Sequence, residues 1–344
     1  MGKCIIQAVA GAGKTTNIVN RLNLIDRFLI VTYTTNNTEH LRLSIIKRFG
    51  YFPSNITLYS YFQFLISVCY KPFLSDQMCA FGISWKTPPE YTLRMRRSNL
   101  DFYLSKKKYL YYNRIAKLCQ DTYITNISNR INKYYDYFFF DEIQDLAGHD
   151  FNLIKSISPQ NTNLLFLGDF YQHTFDTSRD GIINVNLHKE MHKYFDLWRK
   201  ENFIIDTISL QQSYRCSKTV CDFVRIKIGI HIYAINERES IVEYITSAER
   251  IDAILKDNNI IKLFFNNSDK YNCWSLNWGN SKGLDHFTDV CVILNKTTNI
   301  KYNSNQLQEL APSTRNKLYV ACTRARGNLY LIPQYLLNDY RIIP

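Results

Sequence analysis

Ala8-Val9-Ala10-Gly11-Ala12-Gly13-Lys14-Thr15 is the most informative segment of the chain for its fold. It directly follows an apolar run, Cys4 to Ala8, that is typical of a buried strand. In such a loop, small residues let backbone N–H groups curl around a phosphate, a lysine reaches the β and γ phosphates, and a threonine ligates Mg²⁺. The stretch departs from the strict phosphate-binding pattern only at Ala8, which stands where glycine is usual. It predicts a nucleotide site between a strand and the N-terminus of a helix.

A second apolar run, Phe138 to Phe140, ends in Asp141 and Glu142. Acids at the end of a strand come to the carboxyl edge of a parallel sheet, where α/β proteins bind their ligands. Asp141 would hold Mg²⁺, and Glu142 would orient and deprotonate the attacking water. Together the two runs predict hydrolysis of ATP with Mg²⁺, the ion being assigned to Thr15 and Asp141. The nucleotide-binding residues predicted in and after the loop are Ala10, Gly11, Ala12, Gly13, Lys14, Thr15 and Thr16.

Later segments supply a polar pair and two cations. Leu164 to Leu167 is a third predicted strand, and Asp169 and Gln172 follow it, where either could touch the γ-phosphate or the attacking water. Arg215 and Arg324 lie in the second half of the chain. Arginines inserted from a second domain would neutralise the charge that develops during phosphoryl transfer. Such an arrangement would close two domains on ATP and release them on hydrolysis.

Composition bounds the size and class of the protein. The chain has 344 residues, 46% of them apolar, which is enough for two domains without disulfides. Its net charge of +12 favours a polyanionic partner, because Lys and Arg release the counterions condensed on phosphates. The nine cysteines contain no C-x-x-C pair and no zinc-type cluster, so we expect reduced thiols. Since no signal peptide or membrane-length apolar run is evident, we expect an intracellular protein, cytoplasmic or nucleus-associated, with no membrane partner.

Further β-rich runs occur at Phe28 to Thr32, Val290 to Leu294 and Leu329 to Ile332. Because the runs, including Tyr137 to Phe140, alternate with helical stretches, they predict an α/β fold with parallel sheets. The stretch from about 66 to 133 differs, being rich in Lys, Arg and Tyr, and we interpret it as a small, mainly helical insertion. We expect a first domain over 1–205, which includes this insertion, and a second domain over 206–344.

Eight segments, in order, resemble the motifs of UvrD/Rep/PcrA-like superfamily 1 DNA helicases: AGAGKTT, VTYTTNNTEHL, TLYSYFQF, DEIQD, GDFYQ, QQSYR, NSKGLD and YVACTRAR. The resemblance implies two tandem RecA-like domains of the P-loop NTPase type and an ATP-dependent translocase or helicase that moves 3′ to 5′. The implied partners are single-stranded DNA, or junctions of single and double strands, and a protein loading partner. The implied oligomeric state is a monomer. The compact form and the bias towards Asn, Ile, Lys and Tyr are compatible with a virus or mobile element.

The resemblance also implies roles for individual residues. Tyr214 would stack on the adenine, and Gly283 and Asp285 fall where the family binds near the ribose. The residues implied to sense or stabilise the γ-phosphate are Gln172, Arg215 and Arg324. The residues that match segments contacting single-stranded DNA, or that could stack on its bases, are Thr34, Asn37, Thr57, Tyr59, Ser60, Tyr171 and Phe175.

The chain departs from the family in ways that bear on its function. The adenine-reading segment of the family normally precedes the first strand, which this chain reaches at Lys3, so we expect loose nucleotide-base selectivity. The segment between Arg215 and Lys282 is too short for the family's large accessory domain, so strand separation would be altered or would need a partner.

Two alternatives to a DNA helicase stay open. One alternative is an RNA-directed superfamily 1 NTPase, since viral RNA helicases share the elements around Arg215 and Arg324. The other is a nucleic-acid-binding regulatory protein without strand separation, although every residue that the chemistry requires is present.

Overall fold

The computed structural model describes residues 2–158, 163–174 and 180–342 of the chain. It forms two compact units. The first unit comprises the chain up to Ile6, Thr15–Gly168 and the segment that ends at Asp206. The second unit comprises Gln7–Lys14, the segment that begins at Asp169, and the chain from Thr207 onward. The phosphate loop up to Lys14 therefore packs with the second half of the chain, and the domain limits 1–205 and 206–344 remain a prediction.

The strands of the described residues are β1 (Lys3–Ala8), β2 (Phe28–Thr32), β3 (Ile56–Ser60), β4 (Gly82–Ser84), β5 (Tyr109–Tyr111), β6 (Tyr137–Asp141), β7 (Leu164–Gly168), β8 (Ile204–Leu210), β9 (Gln212–Ser213), β10 (Tyr233–Ala234), β11 (Val242–Tyr244), β12 (Ile260–Phe264), β13 (Ser275–Asn277), β14 (Asp289–Leu294) and β15 (Leu329–Pro333). Each of the six apolar runs quoted from the sequence forms one of these strands, because runs of this composition fit the buried interior of a parallel sheet.

The α-helices of the described residues are α1 (Lys14–Arg21), α2 (Thr35–Phe49), α3 (Tyr61–Phe64), α4 (Lys71–Met78), α5 (Ile115–Tyr134), α6 (Gly148–Ile157), α7 (Met191–Arg199), α8 (Lys218–Phe223), α9 (Ala248–Lys256), α10 (Lys296–Asn303) and α11 (Pro312–Cys322). Among these residues, no helix combines the length and the apolar character that crossing a membrane requires.

The larger sheet has six strands in the order β3-β2-β6-β7-β1-β8. Its members β3, β2, β6 and β7 pair in parallel, and every residue of β2 and β7 is buried. Aromatic rings fill one face, where Phe166 packs edge to face against Phe138 and Phe140 at centroid distances of 5.7 and 6.0 Å. The register pairs Thr32 with both Ser60 and Asp141. The carboxyl ends of three neighbouring strands therefore meet at one edge of the sheet.

The second large sheet has five strands in the order β11-β15-β14-β12-β13, and every neighbouring pair is parallel. Its central strands β12 and β15 are buried throughout. Trp278 packs into the core beneath them and donates its indole N–H to the Leu263 carbonyl oxygen at 2.9 Å. The predicted fold class, α/β with parallel sheets, is confirmed.

The stretch predicted as a mainly helical insertion has its two long helical segments at its ends. Its first part lies in a continuous helical run from α3 to α4 that includes a π-helical segment, Leu65–Tyr70, and its last part is the 20-residue helix α5. Between them the chain forms the parallel pair β4 and β5 and several 3₁₀ turns. Pro88 and Pro89 disfavour a helix here, because proline lacks the N–H that a helix interior needs. The buried face of α5 packs against α6.

Candidate functional site

The phosphate loop connects β1 to α1. Gly11 and Gly13 have φ angles of 71° and 81°, a left-handed conformation that glycine adopts without steric cost. The N–H of Ala12 donates to the Val9 carbonyl oxygen at 3.2 Å, which closes the turn. Backbone bent in this way forms a concave surface of N–H groups, and α1 adds its N-terminus at Lys14. The chemistry of this loop fits a triphosphate.

Gly11 also allows a close approach by the segment Ser213-Tyr214-Arg215. A Cβ atom at Gly11 would lie 2.6 Å from the Arg215 Cβ and 2.9 Å from the Ser213 Oγ. The N–H of Tyr214 donates to the Gly11 carbonyl oxygen at 2.9 Å, while the Tyr214 side chain is 63% exposed. Within the second unit, the predicted adenine-stacking tyrosine and one predicted arginine therefore lie directly against the loop.

A buried hydrogen-bond network ties the loop to Asp169. The Ala10 N–H donates to the Tyr319 hydroxyl at 2.8 Å, and that hydroxyl donates to the Asp169 Oδ2 at 2.9 Å. Gln172 donates from Nε2 to the same oxygen at 2.9 Å, and Gln7 donates from Nε2 to the Asp169 Oδ1 at 3.3 Å. Burial, followed by the charge of Asp169, raises the pKa of Tyr319 well above its ordinary value. The tyrosine therefore keeps its proton and can donate it to the carboxylate.

Helix α11 carries Tyr319 and makes further contacts with the segment after β7. Asn316 donates to the His173 carbonyl oxygen at 3.2 Å, and the Arg315 guanidinium lies 5.5 Å from the centre of the Tyr171 ring. Sequence reasoning assigned roles to Gln172 and Tyr171 but missed Tyr319. The available signal was its position four residues before Thr323, in the segment YVACTRAR.

The two predicted phosphate-stabilising arginines lie together, bridged by Asp285. The Asp285 Oδ1 forms ion pairs with both, at 2.5 Å from an Arg215 guanidinium nitrogen and 3.2 Å from an Arg324 guanidinium nitrogen. Arg324 is 1% exposed and also donates from Nε to the Val320 carbonyl oxygen at 3.2 Å. Burial, followed by repulsion from Arg215, lowers the pKa of Arg324 to about 10, so this arginine is still charged at neutral pH. Gly283, with φ 81°, precedes Asp285 by two residues.

The predicted acids lie in the first unit, at the end of β6. Asp141 is buried and pairs in register with Thr32, and Glu142 has a left-handed backbone with φ 59°. A non-glycine residue in this conformation is strained, and such strain concentrates at functional sites. The Nε2 of Gln144 donates to the Glu142 Oε2 at 2.6 Å, so Gln144 orients the predicted base. Gln144 was not among the residues predicted from the sequence.

Thr15 belongs to the same unit as Asp141. Mg²⁺ in nucleotide sites binds one or two carboxylates, waters and the phosphates, so a hydroxyl and one carboxylate form a suitable protein contribution. Among the described residues, no group of three or more His, Cys, Asp or Glu side chains could hold a metal ion. A bound Mg²⁺ would therefore take most of its remaining ligands from phosphate and water.

The residues predicted to contact a nucleic acid occupy both units. In the first unit, Thr34 and Ser60 are N-cap residues: their hydroxyl oxygens accept the backbone N–H groups of Asn37 at 3.2 Å and Gln63 at 3.4 Å. Thr57 and Tyr59 are both half-buried and share one face of β3, since alternate residues of a strand point the same way. Tyr171 belongs to the second unit, where it packs on Tyr319 and Arg315. Phe175 lies outside the described residues.

Comparison with known proteins gives a fold-level likeness. No family model and no curated protein matches the sequence. Two solved structures of arterivirus nonstructural protein 10, named a helicase, are similar to this chain at 13% identity and a TM-score of 0.50. The first, a complex with DNA, matches over 96% of this chain and 60% of its own, and the second over 99% and 62%. The chain thus spans less than two thirds of either neighbour's length, and what it has in common with these helicases is the fold.

Proposed function

We propose that the chain is an ATP-driven motor that moves on single-stranded DNA, with the 3′ to 5′ direction of the UvrD-like helicases. The observation that carries this proposal is the meeting of the phosphate loop, Asp169, Tyr319 and the arginine pair within one compact unit. The arginine pair favours turnover over nucleotide binding alone. Arginines beside the γ-phosphate stabilise the charge that builds up in phosphoryl transfer.

Each polar group then has a part in ATP hydrolysis. Lys14 and the loop N–H groups bind the phosphates, and Tyr214, being exposed beside the loop, stacks on the base. Glu142, oriented by Gln144, takes the proton of the attacking water. Mg²⁺, held by Thr15 and Asp141, would neutralise phosphate charge. Asp285 holds the side chains of the two arginines together through its carboxylate, and its contact near the ribose stays a prediction.

The coupling of hydrolysis to nucleic acid runs through the buried network. Gln172 is hydrogen-bonded to Asp169, and Asp169 is hydrogen-bonded to Tyr319, which holds Ala10 of the loop. A change at the γ-phosphate would thus reach the segment that carries Tyr171, whose ring is half-exposed. Aromatic rings of this kind stack on bases without sequence preference.

The test is steady-state ATP hydrolysis by wild type and Glu142→Gln, without nucleic acid and with dT30 or rU30. We expect stimulation by dT30 in wild type and loss of turnover with retained ATP and DNA binding in the variant. An RNA-directed NTPase is the second candidate, favoured by the elements around Arg215 and Arg324, which viral RNA helicases share. Stimulation by rU30 alone would select it over the DNA motor. Binding without turnover under any condition would leave the regulatory protein instead.

A further inference from the structure

Outside the nucleotide site, the middle of the insertion concentrates positive charge. Residues 81–112 contain seven Lys and Arg against two Asp and Glu, a net charge of +5 out of +12 for the whole chain. All seven basic side chains are exposed, and in the described part of the chain none of them forms an ion pair. These basic residues are Lys86, Arg94, Arg96, Arg97, Lys106, Lys107 and Lys108. Unpaired exposed charge of one sign favours a polyanionic partner.

The same segment holds an exposed tryptophan in a row of three aromatic rings. The parallel register pairs Ser84 with Tyr111, so the residues that follow each strand, Trp85 and Tyr112, emerge side by side. Their ring centroids lie 5.5 Å apart in a stacked arrangement, and Phe62 lies on the other side of Trp85 at 4.7 Å. Trp85 is nevertheless 64% exposed. This row, Phe62, Trp85 and Tyr112, is called the aromatic ladder below.

The ladder connects the insertion to residues already assigned to nucleic acid. Phe62 is the second residue of α3, and the helix follows β3 directly, so Phe62 comes two residues after Ser60 and three after Tyr59. Ladder and β3 belong to the same compact unit. A strand of DNA that contacts the carboxyl end of β3 would therefore meet the ladder next.

Three consecutive lysines lie at the other end of the β4–β5 pair. Lys106, Lys107 and Lys108 form a turn that is closed by the Ser105 N–H, which donates to the Tyr109 carbonyl oxygen at 2.8 Å. The Lys108 carbonyl oxygen accepts the Phe81 N–H at 2.9 Å, which fixes the turn beside the start of β4. At about 3.3 Å per strand residue, the lysine turn lies on the order of 13 Å from the ladder. A surface that binds single-stranded DNA covers roughly 4 or more nucleotides, and the distance from the lysine turn to the ladder fits within that length of strand.

We propose that the aromatic ladder and the lysine turn form a second binding surface for single-stranded DNA, with Trp85 stacking on a base and the lysines contacting phosphates. Unpaired bases expose the ring faces that such stacking requires, whereas the bases of a duplex are already stacked on one another. Phosphate contacts of exposed lysines carry no sequence information, so the surface holds DNA of any sequence. This inference rests on the proposed function, from which it takes its partner.

The test is equilibrium binding of fluorescently labelled dT30 without nucleotide, across a series of salt concentrations. Trp85→Ala should weaken binding about tenfold, the value of one lost base stack, and leave the salt dependence unchanged. The triple variant Lys106→Ala, Lys107→Ala, Lys108→Ala should reduce the slope of log K against log salt by about 2, at about 0.7 per lost phosphate contact. The melting temperature of each variant verifies that it is folded.

The matched control removes the same charge elsewhere. Lys189, Lys193 and Lys200 are exposed lysines in and beside α7, and changing all three to Ala should reduce the slope far less than changing the lysine turn. The proposed second surface would be refuted if both triple variants reduced the slope equally, or if Trp85→Ala bound dT30 as tightly as wild type. Neither result would contradict the proposed motor function. Losses seen with rU30 and not with dT30 would overturn the choice of DNA. Absence of binding by wild type would overturn the motor as well.

Discussion

Removing the hydroxyl of Tyr319 isolates the contact that ties the phosphate loop to Asp169. Tyr319→Phe keeps the ring and its packing but deletes one accepted and one donated hydrogen bond, at 2.8 and 2.9 Å. Ala10 and Asp169 are both fully buried, so water cannot replace the lost partner. The substitution therefore tests the network without opening a large cavity.

The expected loss of stability follows from those two bonds. A buried group that loses its partner costs about 1–3 kcal/mol, which applies in full to the Ala10 N–H. Asp169 still accepts hydrogen bonds from Gln172 and Gln7, so the free-energy cost of losing the Tyr319 hydrogen bond there is at the lower end of that range. The free energy of unfolding should fall by about 2–4 kcal/mol in total. Because the freed loop also misplaces the phosphates, kcat/KM for ATP should fall about tenfold or more.

The assays are urea denaturation followed by circular dichroism, and steady-state ATP hydrolysis. Tyr302→Phe is the matched control, because this half-buried tyrosine of the same unit has a hydroxyl without a hydrogen bond to any described residue. It should leave both measurements near their wild-type values. If Tyr319→Phe unfolds at the wild-type urea concentration and turns over ATP at the wild-type rate, the network neither stabilises the loop nor contributes to turnover.

Three further substitutions test the site and the fold. Gly11→Ala should abolish ATP hydrolysis, because the added Cβ would lie 2.6 Å from the Arg215 Cβ. Gly50→Ala is the control and should retain hydrolysis, because Gly50 has the same left-handed backbone but no atom within 4 Å of the added Cβ. Equal activities of the two variants would refute the close approach at Gly11. Asp285→Asn leaves two adjacent arginines without their shared carboxylate, so ATP turnover should fall about tenfold. The loss of stability should be only about 1 kcal/mol, because Asp285 is half exposed. Unchanged turnover would contradict the pairing. Hydrogen bonds from Arg27 lower the pKa of Asp136 to about 2, so the stabilisation is present above about pH 4 and is lost as the pH falls towards 2. Asp136→Asn should therefore lower the melting temperature slightly at pH 7 and not at pH 2, and a pH-independent difference would exclude the ion pair as its cause.

The sequence was sufficient for features that depend on local patterns. Apolar runs of four or five residues predicted six strands of the two large sheets, because a strand buried on both faces needs a continuous apolar sequence. The phosphate loop was predictable for a similar reason, since Gly11 and Gly13 stand where its backbone is left-handed. The parallel pairing of β4 with β5 was not predicted, because it joins residues 27 apart in the chain.

The contacts of the site could not be predicted because they join distant parts of the chain. Tyr319 is 150 residues from Asp169 and 309 residues from Ala10. Nothing in the local pattern of α11 states which buried group its tyrosine will meet. Asp285 is a second example: the family resemblance implied a contact near the ribose, and only its position between Arg215 and Arg324 reveals the ion pairs.

Directed movement on DNA is measured by the displacement of streptavidin from biotinylated dT60 by the full chain with ATP and Mg²⁺. A motor that moves 3′ to 5′ should release streptavidin from the 5′ end far faster than from the 3′ end, and Glu142→Gln should release neither. Faster release from the 3′ end would reverse the proposed direction. Release from neither end, by a protein that hydrolyses ATP and binds the DNA, would contradict the motor itself.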